Sequence, residues 1–487
     1  MSAHATSVSS RRTAFDIAVQ IAAQLLNLVL GIVVTVLIVR TLGTVRYGQW
    51  ATLLAITQLV GTIGSLGLED VAVRFAAAEP EREDAWLGAT VTLRAALTVP
   101  VVVLYVIAVL IISVDATMAL TGLILTLLYV SALFTTLRIV FRLRVRNDIA
   151  MAFVLANSAL WAGAVIAISA AGGGMIAFAL AFVLLSLLMQ GLLAFIAVRG
   201  VPVRWRGSRV LWGRLARVGL IVGIGGTLTF AYGRIDQLLV FELAPSASEP
   251  GLYASVYKIL ETAGFVPIAA MTTLFPIMSG LYPSDMRRLR SLTQLSIDYL
   301  TIASAGALAF TIVASDKIVA LLYGPSFHAA ASALPVLMAA FVPICIGYVG
   351  GHLVLATGLQ RRYLRFATLG LALNVALNLA LIPTYGFQAA AWVTLATELV
   401  VVSLTLAMVL GRIEMRLAVR KLALASLAAA IAAAAVWWLA REGAGIGVLL
   451  AAMAALYAGL LIVLRAVDVG ELRTLVTGRS EPARVSK

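Results

Sequence analysis

Fourteen apolar stretches of about seventeen residues or more follow one another along this chain of 487 residues, each long enough to cross a bilayer as an α-helix. They cover 15–39, 48–65, 87–112, 118–140, 150–169, 176–198, 218–241, 252–278, 292–313, 330–356, 366–382, 387–410, 422–439 and 444–464. The runs are continuous, so they exclude the alternating segments of about ten residues that build β-barrels. The expectation is an all-α polytopic membrane protein. Composition agrees: 62% of residues are hydrophobic and 12% charged, where soluble domains are about half apolar and a quarter charged. The first run is too long for a signal-peptide core and lacks a clear cleavage site, so it is expected to be retained.

The net charge of +14 suggests nucleic acid until the charges are placed. With the N-terminus in the cytoplasm, 29 of the 36 Lys and Arg residues fall on the cytoplasmic side. Arg138/Arg142/Arg144/Arg146, Arg204/Arg206/Arg209 and Arg287/Arg288/Arg290 are the main clusters. This is the positive-inside pattern, so the basic excess orients the chain and no nucleic-acid partner is expected. Both termini are then cytoplasmic, in a multi-pass protein of the cytoplasmic (inner) membrane. One inside loop, 69–84, is acidic and departs from the pattern.

Other classes are excluded. No connecting loop has room for a soluble catalytic domain, and no glycine-rich loop followed by Lys-Ser/Thr is present. Cys345 is the single cysteine, so no intrachain disulfide can form, and His4, His328 and His352 are scattered. No enzyme activity, metal or bound cofactor is expected. The long basic loop after the sixth span suggests two parallel six-helix repeats. The organisation expected is a lobe at 1–200, a second at 201–415, a terminal helix pair at 416–467 and a cytoplasmic tail at 468–487. Asn157 and Gly172 in spans five to six echo Asn374, Asn378 and Gly386 in spans eleven to twelve.

Several short motifs carry a family resemblance. Arg40-Thr-Leu-Gly43 with Tyr47-Gly48 joins the first two spans, and Gly251-Leu-Tyr253 opens the eighth. Tyr323-Gly-Pro-Ser-Phe327, Asn374-Val-Ala-Leu-Asn378, Leu381-Ile-Pro383-Thr-Tyr385-Gly386, Ala389-Ala-Ala391 and Glu398 follow. In this order the motifs resemble the polysaccharide or oligosaccharide flippases, of the O-antigen type. That branch belongs to a superfamily that also holds multidrug extruders of the MATE type and lipid II flippases. Ala389 departs from a frequent glycine, but a small residue still permits close helix approach. The resemblance implies two lobes rocking about a central cavity and a sugar carried on polyprenyl pyrophosphate. It further implies membrane lipids as surroundings, glycosyltransferases and a polysaccharide polymerase as partners, and a monomer.

Charges inside spans face protein or water, not lipid, and mark functional sites by default. Arg94, Arg234 and Lys258 are the candidates for an anionic pyrophosphate, Arg because its planar fork matches phosphate oxygens. Gln24 and Asn27, with Gln20, form a polar stripe suited to sugar hydroxyls. Asp236, Glu261, Asp298 and Glu398 are the candidates for coupling or gating, through protons, sodium or the membrane potential. Each has a plainer alternative. Arg94 can snorkel to the inner headgroups; Arg234 can pair with Asp236 or Glu261; Lys258 and Glu261, three apart, can pair with each other. Asn374 and Asn378 suit interhelical hydrogen bonds, and Pro267, Pro276, Pro335 and Pro343 can bend their helices. A cation-coupled exporter on the same fold, and a membrane glycosyltransferase or ligase acting on lipid-linked sugars, are the rival functions.

Overall fold

The structure is a computed structural model that describes residues 10–143, 147–200 and 208–467, with side chains except at 10–25, 147–150, 200, 221–222 and 229. Among the described residues every regular element is helical, and twelve helical stretches are long and apolar enough to span a membrane. Two of them, Leu26–Ala78 and Gln360–Arg412, run for 53 residues each. A straight helix of that length would measure ~80 Å, against a hydrocarbon core of ~30 Å. Neither is straight. Gly43 (φ 70°, ψ 179°) and Gly386 (φ 60°, ψ −148°) break them, in a backbone region open essentially to glycine alone. Each glycine divides one stretch into two membrane-length arms. The twelve stretches and the fourteen expected passes therefore differ only in how a kinked helix is divided.

Contacts group the chain into two compact units, Met1–Glu242 and Leu243–Lys487. The first holds α1 (Ser10–Ser65), α2 (Leu68–Ala78), α3 (Glu83–Ile112), α4 (Ala116–Leu125), α5 (Leu128–Thr136), α6 (Ile139–Leu143), α7 (Asn147–Ala170), α8 (Met175–Gly200), α9 (Arg209–Tyr232) and α10 (Ile235–Leu243). Trp86, Leu87, Ile139 and Leu215 are buried together where α3, α6 and α9 meet. Two glycines one turn apart bring α9 onto the chain after α1. A Cβ on Gly219 would lie 2.8 Å from the Leu66 carbonyl oxygen, and one on Gly223 2.6 Å from Leu66 Cα. Small residues at such spacing let backbones approach closely. Deeper in the unit, Thr57 Oγ1 lies 3.0 Å from the Tyr105 hydroxyl, and the Tyr129 hydroxyl donates to the Thr57 carbonyl at 2.9 Å.

The acidic loop acquires a physical reason. Asp70 pairs with Arg142 at 2.9 Å, and Glu79 with Arg214 at 3.0 Å and Arg82 at 3.3 Å. The Trp86 indole also donates to Glu79, at 3.2 Å. Glu69 lies in electrostatic reach of Arg94 and Arg138. Glu69, Asp70 and Glu79 thus face bases on α3, α6 and α9 and tie α2 to them. Exposed pairs of this kind are screened by solvent and contribute little, so their value is chiefly positional.

The second unit holds α11 (Glu249–Ala263), α12 (Phe265–Leu281), α13 (Met286–Tyr323), α14 (Leu334–Thr357), α15 (Gln360–Arg412), α16 (Arg420–Arg441) and α17 (Ile446–Val463). The last two helices dock on α13, where Ala305 and Ala309 meet Ala429, Ala432, Val436 and Met453. Gly306 leaves space for the Tyr457 ring, whose hydroxyl donates to the Ile302 carbonyl at 2.8 Å. The linker before α16 is tied to α13 as well. The Gln294 amide bonds both backbone groups of Ala418, at 3.0 and 2.9 Å, and Arg290 Nε donates to the Ile413 carbonyl at 2.7 Å.

The expectation for the prolines needs correction. Pro276 and Pro343 do lie within helices, but Pro335 sits at the start of α14 and Pro267 in the first turn of α12. First-turn amides lack an intrahelical acceptor, so a proline there starts a helix without bending it. Pro100 and Pro383, not among the bends expected from sequence, are internal.

Candidate functional site

Two of the intramembrane arginines open onto cavities of the first unit. Arg94, from α3, lines a cavity of about 350 Å³. The second arm of α1 contributes Thr57, Gln58, Gly61, Thr62 and Ser65; α5 contributes Leu128, Tyr129 and Ala132; α9 contributes Phe230. Gln58, Thr62 and Ser65 follow helical spacing and share one face. Arg234 lines a second cavity, of about 500 Å³, with Gly225, Gly226, Phe230 and Gly233. Phe230 is common to both.

The position of Arg234 follows from a break in the seventh span. α9 ends at Tyr232 and α10 begins at Ile235, with Gly233 and Arg234 between them. The Arg234 amide donates to the Ala231 carbonyl at 3.1 Å, and the Arg234 carbonyl accepts from Gln237 at 3.2 Å. An interrupted span is tolerated at membrane depth where it lines a cavity. The Arg234 guanidinium lies 5.9 Å from the centroid of the Phe230 ring, at the outer limit of a cation–π contact.

Among the described residues no carboxylate lines either cavity. The Arg94 cavity adds hydroxyls and the Gln58 amide to its positive charge, a set that binds anions with hydroxylated substituents, while the Arg234 cavity offers its guanidinium among glycines and an aromatic ring. Arg94 is half-buried and lies in electrostatic reach of Glu69. Asp236, two residues past Arg234, is buried; its neighbour Gln237 donates to Thr52 Oγ1 at 3.2 Å.

The remaining expected residues are distributed differently. Lys258 Nζ donates to Glu261 Oε2 at 3.2 Å along α11. Asp298 is buried and accepts from Gln294 Nε2 at 2.8 Å. Glu398, on the second arm of α15, is half-buried and in electrostatic reach of Tyr348 and Tyr363. Asn378 donates to Asn374 Oδ1 at 3.0 Å, so the buried pair bonds along its own helix. Asn27 is exposed, while the side chains of Gln20 and Gln24 lie outside the described residues.

Three features escape the sequence reading. The polar face Gln58/Thr62/Ser65 has the spacing of the Gln20/Gln24/Asn27 stripe and was open to the same argument. Asp115 caps α4, accepting from the Met118 amide at 2.8 Å, and also binds Arg46 at 2.6 Å and Gln49 at 3.2 Å. The Met118 hydrogen bond, then those of Gln49 and Arg46, hold its carboxyl below the usual carboxylate range. Glu249 accepts from the Phe387 amide at 2.7 Å, next to the Gly386 kink. Its partner is 138 residues away, and only the fold could reveal it.

Bundled kinked spans with a broken helix beside a basic cavity define a multi-pass membrane protein with the fold of flippases and multidrug transporters. The fold is similar to that of a structure described as lipid II flippase MurJ in an inward closed conformation. The TM-score is 0.74 at 14% identity, covering 94% of this chain and 99% of that one. An inward-facing multidrug resistance MATE family transporter of the MOP superfamily gives 0.63 at 16% identity, over 80% of this chain and 94% of that one. A MOP superfamily transporter from Pyrococcus furiosus, described as having a binding pocket whose reverse polarity suggests a different function, gives 0.53 at 17% identity, over 82% and 93%. These are transporters and a flippase, not enzymes. No curated protein sequence matches the chain. The family described as polysaccharide biosynthesis protein matches residues 14–282, and the chain belongs to it.

Proposed function

We propose that this protein is a flippase that moves polyprenyl-pyrophosphate-linked oligosaccharide from the inner to the outer leaflet of the cytoplasmic membrane. It does so by alternating access, for cell-surface polysaccharide synthesis such as that of lipopolysaccharide. The observation that carries this reading is the pair of cavities that hold Arg94 and Arg234, share Phe230 and have no carboxylate among their described lining residues. A pyrophosphate cannot cross hydrocarbon bare, whereas its polyprenyl tail can stay in lipid. The head group therefore needs a polar, positively charged path and nothing more.

With the basic loops inside, Arg94 lies toward the cytoplasmic end of its span and Arg234 toward the outer end. The two arginines then act in sequence, Arg94 receiving the head group and Arg234 passing it on, as the lobes rock. Hydroxyls of Thr57, Thr62 and Ser65 suit the sugar. No covalent bond is made or broken. Asp236, Glu261, Asp298 and Glu398 are the groups through which protons, sodium or the membrane potential would drive the cycle; a ligand shifts the two states only by its differential affinity for them. Glycosyltransferases supply the substrate and a polymerase consumes it; the flippase itself acts as a monomer with both termini cytoplasmic.

A cation-coupled drug exporter on this fold would be served by a carboxylate-lined cavity, and the basic lining weighs against it. The test is reconstitution in vesicles loaded with lipid-linked oligosaccharide. Appearance of the sugar at the outer surface, lowered about tenfold or more by Arg94→Ala or Arg234→Ala in normally folded protein, is expected. Transport of organic cations in its place would overturn the reading.

A further inference from the structure

We propose that Phe230 is the septum between the two arginine cavities, closing the path between them until an anion draws Arg234 off its ring. This rests on the reading of the cavities as one anion path. Among the described residues Phe230 alone lines both cavities, and Arg94 lines one of them and Arg234 the other. Phe230 and Arg234 are four residues apart across the end of α9, and the guanidinium sits 5.9 Å from the ring centroid. The negative face of an aromatic ring holds a cation more weakly than a phosphate oxygen does. A pyrophosphate reaching Arg234 therefore competes with the ring for the same charge, and its arrival unpins the septum. Gly233, at the break between α9 and α10, lies between the two in sequence. The helix is interrupted where the ring must move.

The septum predicts sidedness that can be read without substrate. The sole cysteine is first removed by Cys345→Ala. Thr62→Cys then probes the Arg94 cavity and Gly226→Cys the Arg234 cavity, where an added Cβ meets nothing within 4 Å. A membrane-impermeant charged maleimide is applied to right-side-out and inverted vesicles. With Phe230 present, each cysteine should react at least ~10-fold faster from one side, and the two from opposite sides, a difference that ~1.4 kcal/mol of barrier supplies. Phe230→Ala should erase the asymmetry at both positions. Phe230→Leu, which keeps apolar bulk, should reduce it and serves where Phe230→Ala fails to accumulate. Equal labelling from both sides with Phe230 in place would overturn the septum, as would asymmetry that survives both substitutions. Labelling is independent of the cargo, so failure of the flippase reading leaves this result standing, and the reverse.

Discussion

The carboxylate of Glu249 occupies the space where a side chain on Gly386 would have to go. It accepts from the Phe387 amide at 2.7 Å, and a Cβ built on Gly386 collides with its Oε2. The kink between the arms of α15 is thus held by two features at once, a backbone conformation reserved for glycine and an acid that caps the following arm. An anion at a helix N-terminus satisfies free amides and opposes the positive end of the dipole.

Gly386→Ala should therefore be more damaging than Gly43→Ala. Both force alanine into the same glycine-only region, at ~1–3 kcal/mol, but no atom lies within 4 Å of a Cβ on Gly43. Detergent-solubilised thermal midpoints rank the two. Glu249→Ala added to Gly386→Ala removes the collision, so the double variant should lose less than the sum of the singles.

Acid should loosen the α2–α9 contact. The hydrogen bond from Arg214, helped by Trp86 and Arg82, holds the Glu79 carboxyl below its ordinary value. The native value lies below the unfolded one, so the stabilisation is complete above an unfolded Glu pKa of ~4.3 and is lost as pH falls through the lowered native value. Thermal midpoints measured from pH 6 down to pH 3 should show this loss in the wild-type protein. Glu79→Gln should start lower and show a shallower acid limb.

The passes are legible in sequence because hydrocarbon demands long apolar runs, and charges within them stand out for the same reason. Arg94 and Arg234 are found in this way. Gly43 and Gly386 appear in the motifs, but their role as kinks needs the backbone. The hydroxyl lining is harder to read. Thr57 and Thr62 donate to the carbonyls of Leu53 and Gln58 in their own helix at 2.7 and 2.8 Å. A threonine that can satisfy itself gives no sign of a cavity. The acidic loop looks anomalous until Arg142 and Arg214 arrive from distant helices.

Lys258 and Glu261 should behave as one unit. Their ion pair at 3.2 Å joins neighbours on one helix face. Lys258→Glu and Glu261→Lys should each lower export several-fold, and the exchanged pair should restore the part that pairing supplies, leaving a deficit for the coupling role of Glu261. Failure of the exchange to restore any export, with normal protein levels, would contradict the pairing.

Replacing either cavity arginine by lysine separates charge from geometry. A charged hydrogen bond contributes ~1.5–3 kcal/mol, so Arg94→Ala and Arg234→Ala should lower export about tenfold to a hundredfold. Lysine keeps the charge but loses the bidentate fork, and Arg94→Lys and Arg234→Lys should fall between the wild type and alanine in the same vesicle assay.

The most direct measurement is depletion of the protein from its native cell, followed by locating lipid-linked oligosaccharide in the two leaflets. Accumulation of intact lipid-linked sugar in the inner leaflet, with loss of surface polysaccharide, is the predicted result. Normal leaflet pools together with lost drug resistance would contradict it.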